Sequence, residues 1–177
     1  MSESVSVLIS EEELERKIDQ IAGQINRDYA GRQLHLLCIL KGSMFFTCEL
    51  SKHLTMPVTI DCMAVASYGN DTARSGDIAL TLDLSEPIAG KHVLVIEDIV
   101  DTGYTLSFLR KMLQKRNPAS LKICTLLDKP ERREVPVDVD YVGFQIPNEF
   151  VVGFGLDYAQ KYRNLPYIGM LEIEEGE

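Results

Sequence analysis

Residues 93–106 have the sequence VLVIEDIVDTGYTL, in which an apolar run leads into three carboxylates and then a turn. Residues 92–96 are typical of a strand that is buried in a parallel sheet, and residues 106–113 have the apolar spacing of a helix. Ligands of open parallel sheets bind at the carboxyl ends of the strands. Glu97 and Asp98 are therefore predicted to lie at the edge of a binding site.

The turn that follows is predicted to bind an anion. Asp101 is followed by residues that bring backbone amides and two hydroxyls to a helix N-terminus: Thr102, Gly103, Tyr104 and Thr105. Free N–H groups and the helix dipole favour a phosphate there. Carboxylates would repel that phosphate unless they hold a ribose by its hydroxyls or a Mg²⁺ that bridges to the anion. The alternative is that the acidic loop only caps the helix.

Strands and helices alternate along the rest of the chain. Ser10 and Glu13 form a capping box before an amphipathic helix that is predicted to end near Gly31. Further strands are predicted at residues 34–40, 58–66, 121–127, 139–144 and 150–152, the last two being the final strands, and a helix at 42–53. This order predicts an α/β fold, a mainly parallel sheet flanked by helices. No repeat or linker divides residues 1–177, so one domain is expected.

Two other loops are predicted to serve the same site. Residues 67–77 contain almost nothing to bury, so they are expected to form a mobile lid. Lys41, Gly42 and Ser43 follow a buried strand in the same manner as the turn at 101–105, and add a cation. A lysine beside a glycine is a weak signal by itself, but two such turns on one sheet favour a ligand with a second anionic group.

The region after residue 126 is suited to a planar heterocycle. Lys129 ends a strand with a cation, and residues 150–158 mix apolar, aromatic and acidic side chains. Phe150 could stack on a ring while Lys129 donates to an exocyclic oxygen. The alternatives are that Phe150 belongs to the core and that Lys129 is a solvated strand end.

Composition excludes several other classes. A formal net charge of -9 argues against nucleic-acid or anionic-membrane binding by bulk electrostatics. The N-terminal residues are acidic, and no apolar run approaches the roughly 20 residues that span a bilayer. A soluble, cytoplasmic protein is expected. The four cysteines form no CxxC pair and are expected to be buried, reduced thiols.

Common nucleotide-binding motifs are not matched. Gly90 and Lys91 are followed by His92, and Ser85 stands where a Walker loop needs its first glycine. The Gly-Phe-Gly at 153–155 lacks the third glycine of a dinucleotide fingerprint. Neither an ATPase nor a dehydrogenase is supported.

Over nearly its whole length the sequence resembles the type I phosphoribosyltransferase family, in particular the bacterial branch that acts on hypoxanthine and guanine. Residues 97–106 resemble that family's phosphoribosyl pyrophosphate motif, and residues 40–43 its pyrophosphate loop. The start of its flexible catalytic loop is matched by Ser67, Tyr68 and Gly69, and its purine and second-metal region by residues 150–158 with Arg163.

The resemblance implies a purine salvage enzyme that transfers the phosphoribosyl group to hypoxanthine, and to guanine, giving IMP or GMP and pyrophosphate. It implies a small hood formed by the chain-terminal segments and a homo-oligomer, a dimer or a tetramer. Glu97 and Asp98 would hold the ribose hydroxyls, directly or through Mg²⁺, and Asp101 would be the catalytic acid–base group beside the imidazole edge of the base. The 5'-phosphate would be wrapped by Thr102, Gly103, Tyr104 and Thr105.

The other implied roles concern the purine and the pyrophosphate. Lys129 would contact the purine oxygen, Phe150 would stack on the ring and Val151 would offer backbone groups. Asp157 would support a second Mg²⁺. Pyrophosphate would meet Lys41, Gly42 and Arg163, and the Leu40–Lys41 peptide is expected to be cis. Tyr104 departs from the lysine of mammalian relatives, which removes one charge from the phosphate loop.

Two alternatives stay open. One is a regulatory nucleotide- or RNA-binding protein on the same fold, which would need the basic face that this acidic chain lacks. The other is a phosphoribosyltransferase for xanthine, guanine or a pyrimidine. Lys129, Phe150 and Asp157 favour a 6-oxopurine, without ordering hypoxanthine, guanine and xanthine.

Overall fold

A computed structural model describes residues 2–67 and 78–174 of the chain. Its centre is a six-stranded sheet in the order β4-β3-β2-β5-β6-β7. Every neighbouring pair is parallel except β3 and β4, which are antiparallel. The strands are β2 (Leu34–Leu40), β3 (Val58–Ser67), β4 (Ile78–Leu82), β5 (His92–Val100), β6 (Ser120–Asp128) and β7 (Tyr141–Gln145). The predicted α/β fold with a mainly parallel sheet is confirmed.

Helices cover both faces of this sheet. The helices α1 (Glu11–Asp28) and α2 (Met44–Lys52) share one buried cluster with Leu34 and Leu36 of β2. The helix α3 (Tyr104–Gln114) shares the opposite cluster with Leu37 and Ile39. Successive side chains of β2 therefore point to opposite faces of the sheet and contribute to both buried clusters, as its continuous apolar sequence predicts.

The first helix begins as predicted. The backbone N–H of Glu13 donates to the Ser10 hydroxyl at 3.3 Å, and the backbone N–H of Ser10 donates to the Glu13 carboxylate at 2.8 Å. This reciprocal capping box satisfies two donors at the helix start. The helix ends at Asp28, with Tyr29 as its C-cap, slightly before Gly31.

The two ends of the described chain form a second, three-stranded sheet in the order β1-β9-β8. Its strands are β1 (Ser2–Ile9), β8 (Val151–Val152) and β9 (Ile168–Glu174), all antiparallel to their neighbours. This sheet is the expected hood. Residues 150–152 are not the last strand, however, because β9 follows them and pairs with both β1 and β8.

Three expectations need correction or completion. The strand β5 extends to Val100, because its pairing with β6 continues past the apolar run, so Glu97 and Asp98 lie within the strand. Cys38 and Cys124 are buried as expected, but Cys62 is only partly buried and Cys48 is exposed on α2. Of the predicted lid, Ser67 ends β3, while Tyr68, Gly69 and the rest of residues 68–77 lie outside the described residues.

No helix in the described ranges is long and apolar enough to cross a membrane.

Candidate active site

The carboxyl end of β5 opens into a cavity of about 310 Å³, here called the strand-end cavity. Because β2 and β5 are parallel neighbours, the loop after β2 and the acids of β5 meet at the same edge of the sheet. The cavity is lined by Gly42, Glu97, Asp98, Asp101, Thr102, Gly103 and Thr105, with apolar residues of β2, β3, β5 and α3. Seven of the predicted site residues are therefore brought together.

Close backbone packing holds this edge in place. A Cβ atom on Gly42 would lie 1.6 Å from Oδ2 of Asp98, and one on Gly155 would lie 2.0 Å from the carbonyl oxygen of Gly42. Only glycine fits at either position without displacing a neighbour. The Leu40–Lys41 peptide between β2 and Gly42 is cis, as expected from the resemblance.

Glu97 and Asp98 form an electrostatically unfavourable pair. Glu97 is only 7% exposed, and no cation of the described chain approaches either carboxylate within 4.0 Å. Burial, and then the neighbouring carboxylate of Asp98, hold the pKa of Glu97 well above its ordinary value. Burial also raises the pKa of Asp98, although the backbone N–H of Ile99 donates to its carboxylate at 2.7 Å. The pair is suited to a ligand that brings positive charge or hydroxyl donors.

This pair fits a divalent cation. Mg²⁺ takes oxygen ligands and is commonly held by one or two carboxylates together with substrate phosphates, and Glu97 and Asp98 supply such carboxylates. Asp157, the other predicted ligand, pairs with Arg163 at 2.8 Å, so a metal there would compete with a guanidinium. The metal ligands remain predictions.

The turn after β5 is built around Gly103. This residue has φ of +93°, in the left-handed region, and a Cβ atom there would lie 2.4 Å from the carbonyl oxygen of Val135. The backbone N–H groups of Glu134 and Val135 donate to the carbonyl oxygen of Thr102 at 2.9 and 3.0 Å. Gly103 is the N-cap of α3 and makes no side-chain capping bond. The N-cap of α3 is therefore a glycine rather than one of the acidic residues.

A second cavity, of about 440 Å³, adjoins the first and is here called the aromatic cavity. Ile99 and Asp101 line both. The other residues around it are Lys129, Arg132, Asn148, Glu149, Phe150, Val151, Leu156 and Asp157. All four residues predicted to meet a purine are thus gathered around one space, with Asp101 between it and the strand-end cavity.

Lys129 and Phe150 have contrasting environments. Lys129 is 8% exposed, and its Nζ donates to the carbonyl oxygen of Glu149 at 2.6 Å. Burial lowers the pKa of Lys129. Phe150 is 54% exposed and contacts Tyr158 edge-to-face, with ring centroids 5.8 Å apart. Hence neither alternative holds: Lys129 is not a solvated strand end, and Phe150 is not a core residue.

Lys41 and Arg163 are linked by the side chain of Gln160. The Gln160 amide oxygen accepts from Nζ of Lys41 at 3.4 Å and from Nη2 of Arg163 at 3.2 Å. Nη1 of Arg163 also donates to the carbonyl oxygen of Gly155 at 2.7 Å. The two predicted pyrophosphate cations are therefore close together, through a glutamine that sequence reasoning missed. Tyr104, the remaining phosphate-loop residue, is the first residue of α3.

The partner of Asp101 was also missed. Nε of Arg132 lies 2.9 Å from Oδ1 of Asp101, and Nε of Arg133 donates to the backbone oxygen of the same residue at 3.1 Å. Arg133 additionally pairs with Asp128 at the end of β6. The sequence shows two arginines shortly after Lys129, but the residues around them do not indicate which acid they contact.

Comparison with known proteins agrees with this geometry. A model of the phosphoribosyl transferase domain family matches residues 5–159. The chain belongs to this family. A hypoxanthine phosphoribosyltransferase of Haemophilus influenzae is 49% identical over 174 residues, which is 97% of each chain. A hypoxanthine-guanine phosphoribosyltransferase of Streptococcus pneumoniae is 51% identical over 168 residues, 95% of this chain and 93% of the relative.

A solved phosphoribosyltransferase has the same fold. The crystal structure of a hypoxanthine-guanine phosphoribosyltransferase from Bacillus anthracis, with a HEPES molecule in its active site, matches with a TM-score of 0.92. It is 44% identical in sequence, and the match covers 97% of this chain and all of that one. The parallel sheet, the flanking helices and the hood are thus those of the phosphoribosyltransferase family.

Proposed function

We propose that this phosphoribosyltransferase transfers the 5-phosphoribosyl group from phosphoribosyl pyrophosphate to a 6-oxopurine, hypoxanthine and also guanine, with release of pyrophosphate. The observation that carries this proposal is the meeting of the two cavities at Asp101. One cavity offers acids and an amide-rich turn to a sugar phosphate, and the other offers a lysine and an exposed ring to a base.

The sugar phosphate occupies the strand-end cavity. The 5'-phosphate is held by the turn at Thr102–Thr105, whose position at the start of α3 favours an anion. Glu97 and Asp98 accept hydrogen bonds from the ribose hydroxyls. Lys41, Gly42 and Arg163 bind the pyrophosphate, whose charge the two side-chain cations offset.

The purine occupies the aromatic cavity. Phe150 stacks on the ring, Val151 offers backbone groups, and Nζ of Lys129 donates to the exocyclic oxygen. Lys129 is already directed to an oxygen acceptor, because it donates to the Glu149 carbonyl at 2.6 Å. Its ammonium group provides the donor that distinguishes a 6-oxopurine from a base with an amino group at this position.

The reaction forms a bond from a purine ring nitrogen to the anomeric carbon and breaks the bond to pyrophosphate, which leaves with the electron pair. Asp101 accepts the proton that the imidazole edge loses. The remaining task of the protein is to align both substrates and to exclude water from the activated sugar. Residues 67–77 are proposed to close over the site for this purpose.

We propose Mg²⁺ as the divalent metal that this enzyme uses together with phosphoribosyl pyrophosphate. Glu97 and Asp98 would hold it, with Asp157 at a second site. When bound, Mg²⁺ would offset negative charge on the pyrophosphate and on the carboxylates of Glu97 and Asp98. Activity is therefore expected to disappear in excess chelator and to return on addition of Mg²⁺.

The decisive experiment is an assay of nucleotide formation with phosphoribosyl pyrophosphate, Mg²⁺ and one base at a time. Hypoxanthine and guanine are expected to be converted, and uracil is expected to give no product. The rate of nucleotide formation with xanthine measures how strictly the aromatic cavity discriminates among 6-oxopurines. Conversion of uracil in preference to every purine, or no transfer to any base, would reject the proposal.

Three properties accompany this function in the proposal. The chain works in the cytoplasm, residues 1–177 form one domain, and the protein is a homo-oligomer, a dimer or a tetramer. Light scattering of the purified protein measures the oligomeric state, and a single cooperative melting transition tests the single domain.

A further inference from the structure

Residues 129–134, which follow β6, form hydrogen bonds to the backbone of Asp101 and its neighbours. The backbone N–H of Lys129 donates to the carbonyl oxygen of Val100 at 2.9 Å, and that of Glu134 to the carbonyl oxygen of Thr102 at 2.9 Å. Between them, Nε of Arg133 donates to the backbone oxygen of Asp101 at 3.1 Å. The main chain of Asp101 is therefore held from one side by residues 129–134.

The side chain of Asp101 is held separately, by Arg132. Nε of Arg132 lies 2.9 Å from Oδ1, and both residues line the aromatic cavity. Arg132 belongs to the short 3₁₀ helix Pro130–Arg132. The backbone N–H of Arg132 closes this turn by donating to the carbonyl oxygen of Lys129 at 3.1 Å. The guanidinium thus approaches Asp101 from a backbone that is itself fixed to β5.

This ion pair is poorly placed to stabilise the fold. The side chains of Arg132 and Asp101 are 44% and 41% exposed, and exposed pairs of this kind contribute little to stability. Arg116 and Asp83 form another exposed pair, away from both cavities, with side chains 31% and 49% exposed and two hydrogen bonds, at 2.6 and 2.9 Å, between the guanidinium and the carboxylate. The pairs differ in location: only the former lies among the residues proposed to meet the base.

We propose that Arg132 is a positioning residue for the proton transfer assigned to Asp101, an inference that rests on the proposed function. A carboxylate that turns freely presents either oxygen to the base, in any plane. Donation from Nε to Oδ1 fixes the plane of the group and leaves Oδ2 to accept from the imidazole edge of the purine. Arg132 acts through Asp101 and does not itself receive the proton.

Two substitutions separate the hydrogen bond from the charge. Arg132→Met removes both while keeping much of the side-chain length. Arg132→Gln removes the charge but can place an amide N–H where the Nε–H of arginine lies. We expect Arg132→Met to lower kcat by about tenfold, the lower range for loss of a charged hydrogen bond, with KM for phosphoribosyl pyrophosphate unchanged. Arg132→Gln is expected to recover most of kcat.

Arg116→Met is the matched control, because it breaks the exposed pair with Asp83. It should leave kcat unchanged while lowering the melting temperature at least as much as Arg132→Met does, because it breaks two hydrogen bonds to a carboxylate instead of one. In the Asp101→Asn background, Arg132→Met should have almost no further effect on kcat, since the group that it positions has lost its basicity.

Three results would overturn the role of Arg132: unchanged kcat in Arg132→Met, equal losses in the Met and Gln variants, or a full additional loss in the Asp101→Asn background. Equal losses would mean that the charge acts, and an additive loss would mean that Arg132 acts without Asp101. If the unmodified chain transfers the phosphoribosyl group to no purine, the proposed function fails and this role fails with it. Normal transfer by Arg132→Met defeats the positioning role alone.

Discussion

The strand-end cavity and the surroundings of the aromatic cavity hold their acidic side chains in opposite ways. Glu97 is buried and Asp98 is partly buried beside it, with no cation of the described chain within 4.0 Å. Asp101 and Asp157 line the aromatic cavity and pair with Arg132 and Arg163, and Asp128, next to the lining residue Lys129, pairs with Arg133. The first set has no cation within 4.0 Å among residues 2–67 and 78–174, and each acid of the second set is paired with an arginine.

The difference follows from the ligands proposed for each region. A sugar phosphate can bring hydroxyl donors and a metal ion, so the acids that receive it remain unpaired. A neutral purine brings no charge, and the three aspartates at this end of the site have arginine partners within the protein. The contrast can be tested by removing one acid at a time.

The largest effect is expected for Asp101→Asn, which keeps the size of the side chain and removes its basicity. Positioned proton transfer commonly contributes about 10²–10⁴-fold to rate, so turnover should fall by that order. Affinity for phosphoribosyl pyrophosphate should change little. Single-turnover kinetics beside thermal melting provide the measurement. A fast variant would reject the assignment, and a slow but unfolded one is excluded by the melting curve.

The next effect is expected for Glu97→Gln combined with Asp98→Asn. These changes remove the charges that suit a metal and a ribose, so affinity for phosphoribosyl pyrophosphate should fall by about 100-fold, while affinity for free purine stays nearly unchanged. Isothermal titration with each substrate, with and without Mg²⁺, separates the two affinities. Equal loss of both would show that the two cavities are not independent.

A smaller effect is expected for Lys129→Ala. The purine oxygen loses a charged donor, a change of about 1.5–3 kcal/mol in kcat/KM for hypoxanthine and guanine. The aromatic cavity loses this contact while the strand-end cavity does not, so KM for phosphoribosyl pyrophosphate should stay the same. Unchanged kcat/KM with both bases would remove Lys129 from the site.

Local signals predict most of the central sheet. The continuous apolar sequence of β2 and the capping box of Ser10 and Glu13 are contained within a few residues, and both appear in the structure as expected. The hood strands are different. Ser2 of β1 pairs with Glu174 of β9, across most of the chain, so the local sequence of either strand does not indicate its partner.

The site shows the same division between local and distant information. The acids of β5 and the turn around Gly103 occupy one short segment, so their proximity could be predicted. Pairing of Asp101 with Arg132 joins residues 31 positions apart and depends on how the 3₁₀ helix is fastened to β5. Gln160, which links Lys41 to Arg163, is likewise visible only once the loops are packed.

The smallest expected effect is on the free energy of unfolding, which compares the two regions without substrates. Burial and the Asp98 carboxylate raise the pKa of Glu97 above that of an unfolded glutamate, which is about 4.3. A group with a raised folded pKa binds protons more tightly in the folded state, so its ionisation costs stability as pH rises above the unfolded value. In metal-free buffer, Glu97→Gln should therefore stabilise the protein near pH 7 and lose this advantage below about pH 4.

Asp128→Asn should have the opposite sign near pH 7, because it leaves Arg133 without a carboxylate at a place where the two side chains are only 19% and 12% exposed. Glu97→Gln is expected to raise the free energy of unfolding by about 0.5–2 kcal/mol, the usual size of a single stabilising substitution. Denaturant unfolding at several pH values, in chelator, measures both variants, with the exposed Glu172→Gln as the control for loss of one negative charge. If Glu97→Gln destabilises the protein at pH 7, then the contacts of the glutamate outweigh its burial and repulsion. The strand-end acids would then be stabilised by the protein itself, as those of the aromatic cavity are, and the contrast between the two regions would not hold.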